Sequence, residues 1–493
     1  LSADYVVGSM VSRTQLGSTG STPTQHADTG FYEEATVMKQ LTLIGGGGVR
    51  AVLFTKSLTL KASQAGITRL VLHDTDEQQL GIIGKLCRIV IEQSGVDLQL
   101  VMTTDIREAL TGADYIVTTI RVGKEVSRYT DEQIALDCGV IGQETTGPAG
   151  FSMAIRTIPV LMDYCKLASE LAPQAWIFNF SNPSGLVTQA LRSAGYDRVV
   201  GICDTPSHTK LRMAEAMGVQ PEELDVEFFG LNHLSWISKV SYKGEDVLAQ
   251  LKNDSAFVAR VDEFKMFDPA LLQSLPFLPN EYLYYYYHRE QALGNIVKSG
   301  MTRGQMIAEN NKAMLAELAK MDIEGEPQRA LQTYLYYTQK REASYMAIET
   351  ASGAKPLPPA EQLELPNSLG YAGVMLDFVA SLQTGERSDI VLNVPNKGSI
   401  SGLADDDVVE VSCTITRDGA QPVHIGEVPE NMLLLMKSVK RFERLTVEAV
   451  QQQSKELAIE ALMVHPLVGS YSIAKRLVQS YMTSYKDMLG AWK

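Results

Sequence analysis

Gln40-Leu-Thr-Leu-Ile44 runs straight into four consecutive glycines, Gly45, Gly46, Gly47 and Gly48, and then through Val49 into a helical stretch. A second apolar run, Arg69-Leu-Val-Leu-His-Asp74, ends in a carboxylate. Strand, glycine turn, helix and a strand-ending acid, in that order, open a βαβ unit. Its parallel strands must lie in a sheet covered by helices on both faces. Such a turn also lets a phosphate approach the backbone, and the helix N-terminus supplies N–H donors. Gly45 to Gly48 and Val49 are therefore candidate dinucleotide contacts. Asp74 is a candidate acceptor for a ribose 2′-OH. Four glycines in a row are not a full G-x-G-x-x-G, so a merely tight β–α turn is the alternative.

The alternation continues. Apolar runs at 98–102, 115–119, 176–180 and 199–203 are separated by helical text such as 76–94 and 152–171. After Gly230 it weakens. Helical patterns at 281–321, 327–351 and 431–464 then enclose runs at 388–394, 408–415 and 422–425. These three runs read as strands of a smaller, mostly antiparallel sheet. The expected organisation is α/β: a flexible leader over 1–37, a Rossmann-type dinucleotide-binding domain over 38–230, and a second, α+β domain over 231–493.

Charge and cysteine usage narrow the function. The 493 residues carry a formal net charge of -14 with no long Lys/Arg run, which argues against nucleic acid as a partner. No stretch approaches the ~20 apolar residues of a membrane span. Five scattered cysteines, Cys87, Cys138, Cys165, Cys203 and Cys413, do not read as a disulfide framework. The expected compartment is a reducing cytoplasm.

Four polar strings follow predicted strands or turns: residues 121–128, 142–148, Asn179-Phe-Ser-Asn182-Pro183-Ser184 and Cys203-Asp204-Thr205-Pro206. In an open α/β sheet, ligands bind beyond the strands' carboxyl ends, so these strings can share one crevice. Cys203 and His233 suit a divalent metal with open positions, and Asn182 could complete its surroundings. Equally, Cys203 alone can be a buried small hydrophobe and His233 a hydrogen-bonded core histidine. The run Tyr282-Leu-Tyr-Tyr-Tyr-Tyr287 is ordinary helix packing, unless a nearby cation turns one phenol into a base. Arg303 is either solvated or paired with an anion.

Together the strings resemble glycoside hydrolase family 4. The glycine turn, Gly142-Gln-Glu-Thr-Thr-Gly147, Asn179-Phe-Ser-Asn-Pro-Ser184, Cys203-Asp-Thr-Pro206, Gly230-Leu-Asn-His-Leu234, Pro279-Asn-Glu-Tyr-Leu283 and Ala461-Leu-Met-Val-His-Pro-Leu467 carry the likeness by their order and spacing. The resemblance implies a fold akin to lactate and malate dehydrogenases with an added α+β domain. It implies NAD and Mn2+ (or another divalent metal) as cofactors, and a dimer or tetramer. It also implies a route outside the two-carboxylate scheme of most glycosidases. In that route NAD+ takes hydride from sugar C3, a base removes the acidified C2 proton, the metal steadies the enediolate, the glycosidic oxygen leaves, water adds at C1 and the hydride returns.

By position, the resemblance makes Cys203 and His233 metal ligands, Asn182 a sugar contact, Tyr282 the base and Asp204 the general acid of α-acting members. It makes Arg128 and Arg303 the grip on a sugar 6-phosphate. The expected substrate is a 6-phospho-β-glucoside. A 6-phospho-α-glucoside or a non-phosphorylated glycoside stays open, because Asp204 stands where many β-acting relatives have Asn. Gly48 also replaces the family's usual turn serine, and Lys124 its second glycine. A 2-hydroxy-acid dehydrogenase or a non-catalytic NAD-binding sensor on the same fold are the competing classes. An exposed Cys203 thiolate would make the enzyme oxidation-sensitive.

Overall fold

The computed structural model describes residues 39–493 except 360, 361 and 368, so the expected leader over 1–37 lies outside the described residues. Six parallel strands form the centre: β1 (Lys39–Ile44), β2 (Ile67–His73), β3 (Gln99–Thr103), β4 (Tyr115–Thr118), β5 (Trp176–Asn179) and β6 (Val199–Gly201). They lie in the order β3-β2-β1-β4-β5-β6, the doubly wound Rossmann arrangement. Away from the edge strand β3, whose middle residues are only half-buried, their inner residues are buried, as in Leu41, Leu43, Leu70, Leu72, Ile116, Val117 and Phe178. That is why these strands read as unbroken apolar runs rather than alternating ones.

The connecting helices are α1 (Ala51–Lys61), α2 (Glu77–Ser94), α3 (Ile106–Leu110), α4 (Lys124–Asp137), α5 (Pro148–Leu171), α6 (Ser184–Ser193) and α7 (Thr205–Met217). α2 shows how sequence sets their limits. Asp76 caps it by accepting from Gln79 N–H, Gly95 closes it at φ +67°, and Leu80, Ile83, Leu86, Cys87 and Val90 form its buried stripe.

The later strands depart from expectation. Ser388–Pro395, Val408–Thr416 and Gly419–Pro422 do not form a separate sheet. They extend the central one past β6 as antiparallel additions, with Asn393 paired to Gly201. The junction depends on Gly201: a Cβ there would stand 2.5 Å from Thr188 Oγ1 and 2.7 Å from Asn393 Cβ. The third strand also ends at Pro422 rather than spanning 422–425. A second sheet does exist, but it is built from β7 (Leu224–Leu231), β8 (Leu234–Tyr242) and the short strand Leu278–Pro279. The long helical text over 281–321 is broken into four pieces, and that over 431–464 divides at Gln453, whose φ is +50°.

The C-terminal helices pack back on the sheet's helical layer. Asp131 on α4 accepts from Arg156 Nη2 (2.7 Å), Ser152 Oγ (2.8 Å) and Tyr485 Oη (2.7 Å), all buried. Removing the acid strands a guanidinium in the interior. Asp131→Ala is expected to cost about 3–5 kcal/mol, read from the urea midpoint. A loss below about 1 kcal/mol would show that water reaches Arg156.

Candidate active site

The glycine turn closes on itself. Gly45 and Gly46 N–H both donate to His73 O at 2.8 Å, Gly48 N–H donates to Gly45 O at 2.9 Å, and Gly47 N–H donates to Asp74 Oδ2 at 3.0 Å. Gly45 has φ +94°, and a Cβ on Gly46 would reach Leu72 Cβ at 2.7 Å. Glycine is thus demanded by the turn's own packing. Val49 N–H has no acceptor among the described residues, so an anion here meets that donor, while Ala51 N–H is already bonded to Gly48 O. Asp74 also accepts from Asp76 N–H at 3.1 Å. It braces the turn, and each of its oxygens keeps a lone pair for a ribose hydroxyl.

Beyond the ends of β4, β5 and β6 the polar strings converge. Ile202 follows β6 and Cys203 comes next, buried. His233 sits in the two-residue link between β7 and β8, at φ +62°, and its Nε2 lies 3.6 Å from Cys203 Sγ. That hairpin tip is pinned from the added strands: Glu410 accepts from Asn232 Nδ2 (2.8 Å) and Ser235 Oγ (3.1 Å). Burial raises the Glu410 pKa to about 7 against the pull of those donors.

The Gly142–Gly147 string orients the imidazole. Gln143 Oε1 accepts from Thr145 N–H (2.8 Å), Thr145 Oγ (3.0 Å) and Thr146 N–H (3.1 Å). With its proton given to Gln143, the Thr145 hydroxyl oxygen accepts from His233 Nδ1, with which it is in contact. The tautomer with Nδ1–H leaves the Nε2 lone pair facing Cys203. Burial lowers the His233 pKa to about 4, so the ring is neutral and able to ligate.

A sulfur and an imidazole nitrogen on one side, with no third His, Cys, Asp or Glu gathered with them among the described residues, fit an ion that keeps open positions. Cys203 is only 7 % exposed, and burial, with Glu410 and Asp204 nearby, pushes its thiol well up. The expectation of an exposed Cys203 thiolate is thus corrected: the sulfur is buried, and oxidation sensitivity does not follow from exposure.

Tyr282 completes the centre. Asn280 N–H bonds Ser235 O at 2.9 Å, and Asn280 Oδ1 caps Tyr282 N–H at 2.8 Å, opening the short helix Glu281–Leu283. The phenol ring then lies flat on the His233 imidazole, centroids 3.8 Å apart and planes within 4°. Burial and the neighbouring Glu281 push its phenol up, so it needs a cation to act as a base. Glu281 is itself raised to about 8 by burial and by Glu263, and accepts from Tyr345 Oη at 3.0 Å.

Tyr282, Glu281 and Gln143 border a cavity of about 1140 Å³ that also touches Val49, Asp204, Arg128 and Arg303, whereas His233 and Thr145 line a separate small cavity with Asn232 and Pro183. Burial opposes ionisation of Asp204, but Arg50 and His208 hold its carboxyl below the usual range. Arg128 is buried and already matched by Glu132 (3.1 Å) and Glu144 (2.9 Å). Glu144 also pairs with Arg121. Arg303 Nη1 bonds Ser344 O at 2.6 Å, and its guanidinium lies 5.0 Å from the Tyr345 ring. Asn182 precedes α6 at a cis peptide bond to Pro183, half-buried. Gln143 and Thr145 belong to the 142–148 string, which carries no role for either in sequence, and Glu410 lies outside the strings altogether. The signal for Glu410 was one acid inside an apolar strand, Val408-Val-Glu-Val-Ser.

Comparison with known proteins gives the same address. The sequence model described as family 4 glycosyl hydrolase matches residues 40–219, and that of the family 4 glycosyl hydrolase C-terminal domain matches 228–468. A Bacillus subtilis (strain 168) protein named "Probable 6-phospho-beta-glucosidase" is 30% identical over 460 residues, covering 91% of this chain and 97% of that one. The structure of the 6-phospho-β-glucosidase from Thermotoga maritima with manganese, NAD+ and glucose-6-phosphate has a TM-score of 0.76 at 26% identity, covering 91% of this chain and 99% of that one. A 6-phospho-α-glucosidase from gut microorganisms, in complex with NAD and Mn2+, has a TM-score of 0.75 at 25% identity, covering 92% and 100%. Among the described residues no helix is long and apolar enough to cross a membrane.

Proposed function

We propose that this chain, which belongs to glycosyl hydrolase family 4, hydrolyses 6-phospho-glucosides, β-linked ones foremost, with NAD and Mn2+. The observation that carries the reading is the stack of Tyr282 on His233, with Cys203 3.6 Å from Nε2, where Tyr282 itself lines a cavity that also touches Val49 just after the glycine turn. When bound, the dinucleotide supplies a reversible hydride acceptor for sugar C3–H, and the metal supplies a Lewis acid for the adjoining oxygens.

The chain's own residues do the rest. Residues 38–230 hold the dinucleotide at Gly45–Gly48, Val49 and Asp74, and 231–493 bring His233, Tyr282 and Arg303 to the sugar. Cys203 and His233 grip the metal, and Asn182 holds sugar hydroxyls beside it. Tyr282 takes the proton from C2. Asp204 faces the leaving oxygen. As the candidate general acid it would give a proton to the departing aglycone and take one back from the water that adds at C1. Arg303, with Arg128 behind it, receives the 6-phosphate.

The β preference draws on the named β-acting relatives, and Asp204 is the feature that favours the α-linked alternative. A panel crossing α with β and 6-phosphorylated with free nitrophenyl glucosides, with NAD+ and Mn2+, tests both. Turnover of the phosphorylated β-substrate above the other three is expected. Stoichiometric NADH accumulation without glycoside cleavage would point to a dehydrogenase instead, and NAD binding without turnover to a sensor.

Thr145→Val removes the oxygen that holds His233 Nδ1–H. It is expected to weaken Mn2+ binding by roughly 10–100-fold, measured by calorimetry, with Thr145→Ser retaining it. Equal affinity in Val and Ser variants would release Thr145 from this role. A cytoplasmic setting suits the five unpaired, buried cysteines. A dimer or tetramer, readable by light scattering, suits exposed apolar side chains such as Val126, Tyr471 and Met488.

A further inference from the structure

Arg341, on the cavity wall, is used by none of these assignments. Arg341 lies in the last turn of the helix Pro327–Ala343. That helix is fastened to the glycine turn by Tyr334 Oη, which donates to Val49 O at 2.8 Å. The Arg341 guanidinium borders the same cavity as Arg50, Arg128 and Arg303. Among the described residues it makes no ion pair and no side-chain hydrogen bond, and its Nε is buried without an acceptor.

Its neighbours differ. Arg128 is neutralised by two carboxylates, and Arg303 already donates to a backbone carbonyl. A last-turn arginine does complement the helix dipole, but that role needs no buried, unpaired Nε. Burial, with Arg50, Arg303 and Arg128 nearby, lowers its pKa to about 10 despite the adjacent Glu342. The geometry agrees: the buried Arg341 Nε is left without a protein acceptor beside other arginines of the same cavity.

We propose that Arg341 is a phosphate anchor of this cavity, closing with Arg303 on a phosphate oxyanion brought in by a ligand. A guanidinium offers two parallel N–H donors to phosphate oxygens, and one not already paired forms them without giving up a protein partner. The phosphate is that of a sugar phosphate or of the dinucleotide. The sugar-phosphate source rests on the function proposed above; the dinucleotide source does not.

The test compares wild type, Arg341→Met and Arg341→Lys by calorimetry, titrating NAD+ into the protein and glucose 6-phosphate into the NAD- and Mn2+-loaded protein. We expect Arg341→Met to weaken glucose 6-phosphate at least tenfold, leave NAD+ unchanged, and be partly restored in Arg341→Lys. Selective loss of NAD+ affinity would also support the anchor and assign it to the dinucleotide. Unchanged affinity for both ligands would overturn it. So would equal loss of both in the Met and Lys variants, which marks a structural role. Wild type that binds NAD+ but not glucose 6-phosphate would instead remove the 6-phospho reading, with the NAD+ titrations still deciding on Arg341.

Discussion

Tyr282→Phe is expected to lower kcat by roughly 10²–10⁴, the range a positioned base contributes, while NAD+ and Mn2+ affinities stay at wild-type values. The substitution keeps the ring that stacks on His233 at 3.8 Å and removes only the oxygen. The hairpin tip and the Cys203–His233 pair therefore keep their support. Stopped-flow turnover of a nitrophenyl 6-phospho-β-glucoside, paired with calorimetry of both cofactors, separates the two effects. Unchanged kcat would move the base to another group. The buried Tyr285 and the cavity-lining Tyr345 are the nearest phenols to examine, since Tyr282 lies beside the first and next to the Glu281 that holds the second.

Cys203→Ser is expected to abolish turnover and to raise the Mn2+ dissociation constant by more than about 100-fold, since loss of outer-shell partners alone reaches that figure. Serine fits the site sterically, but a hydroxyl is a far weaker ligand than the thiolate that the metal draws from a buried thiol. Excess chelator should silence the wild type, with Mn2+ restoring it. Full activity in chelator, or a Cys203→Ser enzyme with normal Mn2+ affinity, would take the metal out of the account.

The parts legible in the sequence were those governed by local chemistry. The glycine turn, the strand-ending Asp74 and the helical start near 76 are written in nearby residues, because sterics and hydrogen bonding decide them within a few positions. The polar strings after β4, β5 and β6 also gave the site's location, since strand ends in a parallel sheet point one way.

What remained hidden is long-range. Nothing near Ser388 says that its strand will pair with β6 instead of forming its own sheet; the close approach of Asn393 to a side-chain-free Gly201 decides it. Glu410 reaches the hairpin tip only because of that pairing. Arg128 and Arg303 read alike as arginines, yet one is consumed by Glu132 and Glu144 and the other is not. Arg341 carries no signal of its own in the sequence, because helical text over 327–351 does not show that the helix stops at Ala343 or that Arg341 Nε is buried.

The central claim is that Tyr282 removes a proton from a sugar carbon made acidic by oxidation of its neighbour. Its most direct measurement is turnover of a 6-phospho-β-glucoside in D2O, with mass and NMR analysis of the released sugar phosphate. The account predicts deuterium at C2, appearing only when NAD+ is bound and lost together with cleavage in Tyr282→Phe. Cleavage at full rate by dinucleotide-free enzyme, yielding sugar phosphate with hydrogen retained at C2, would contradict it.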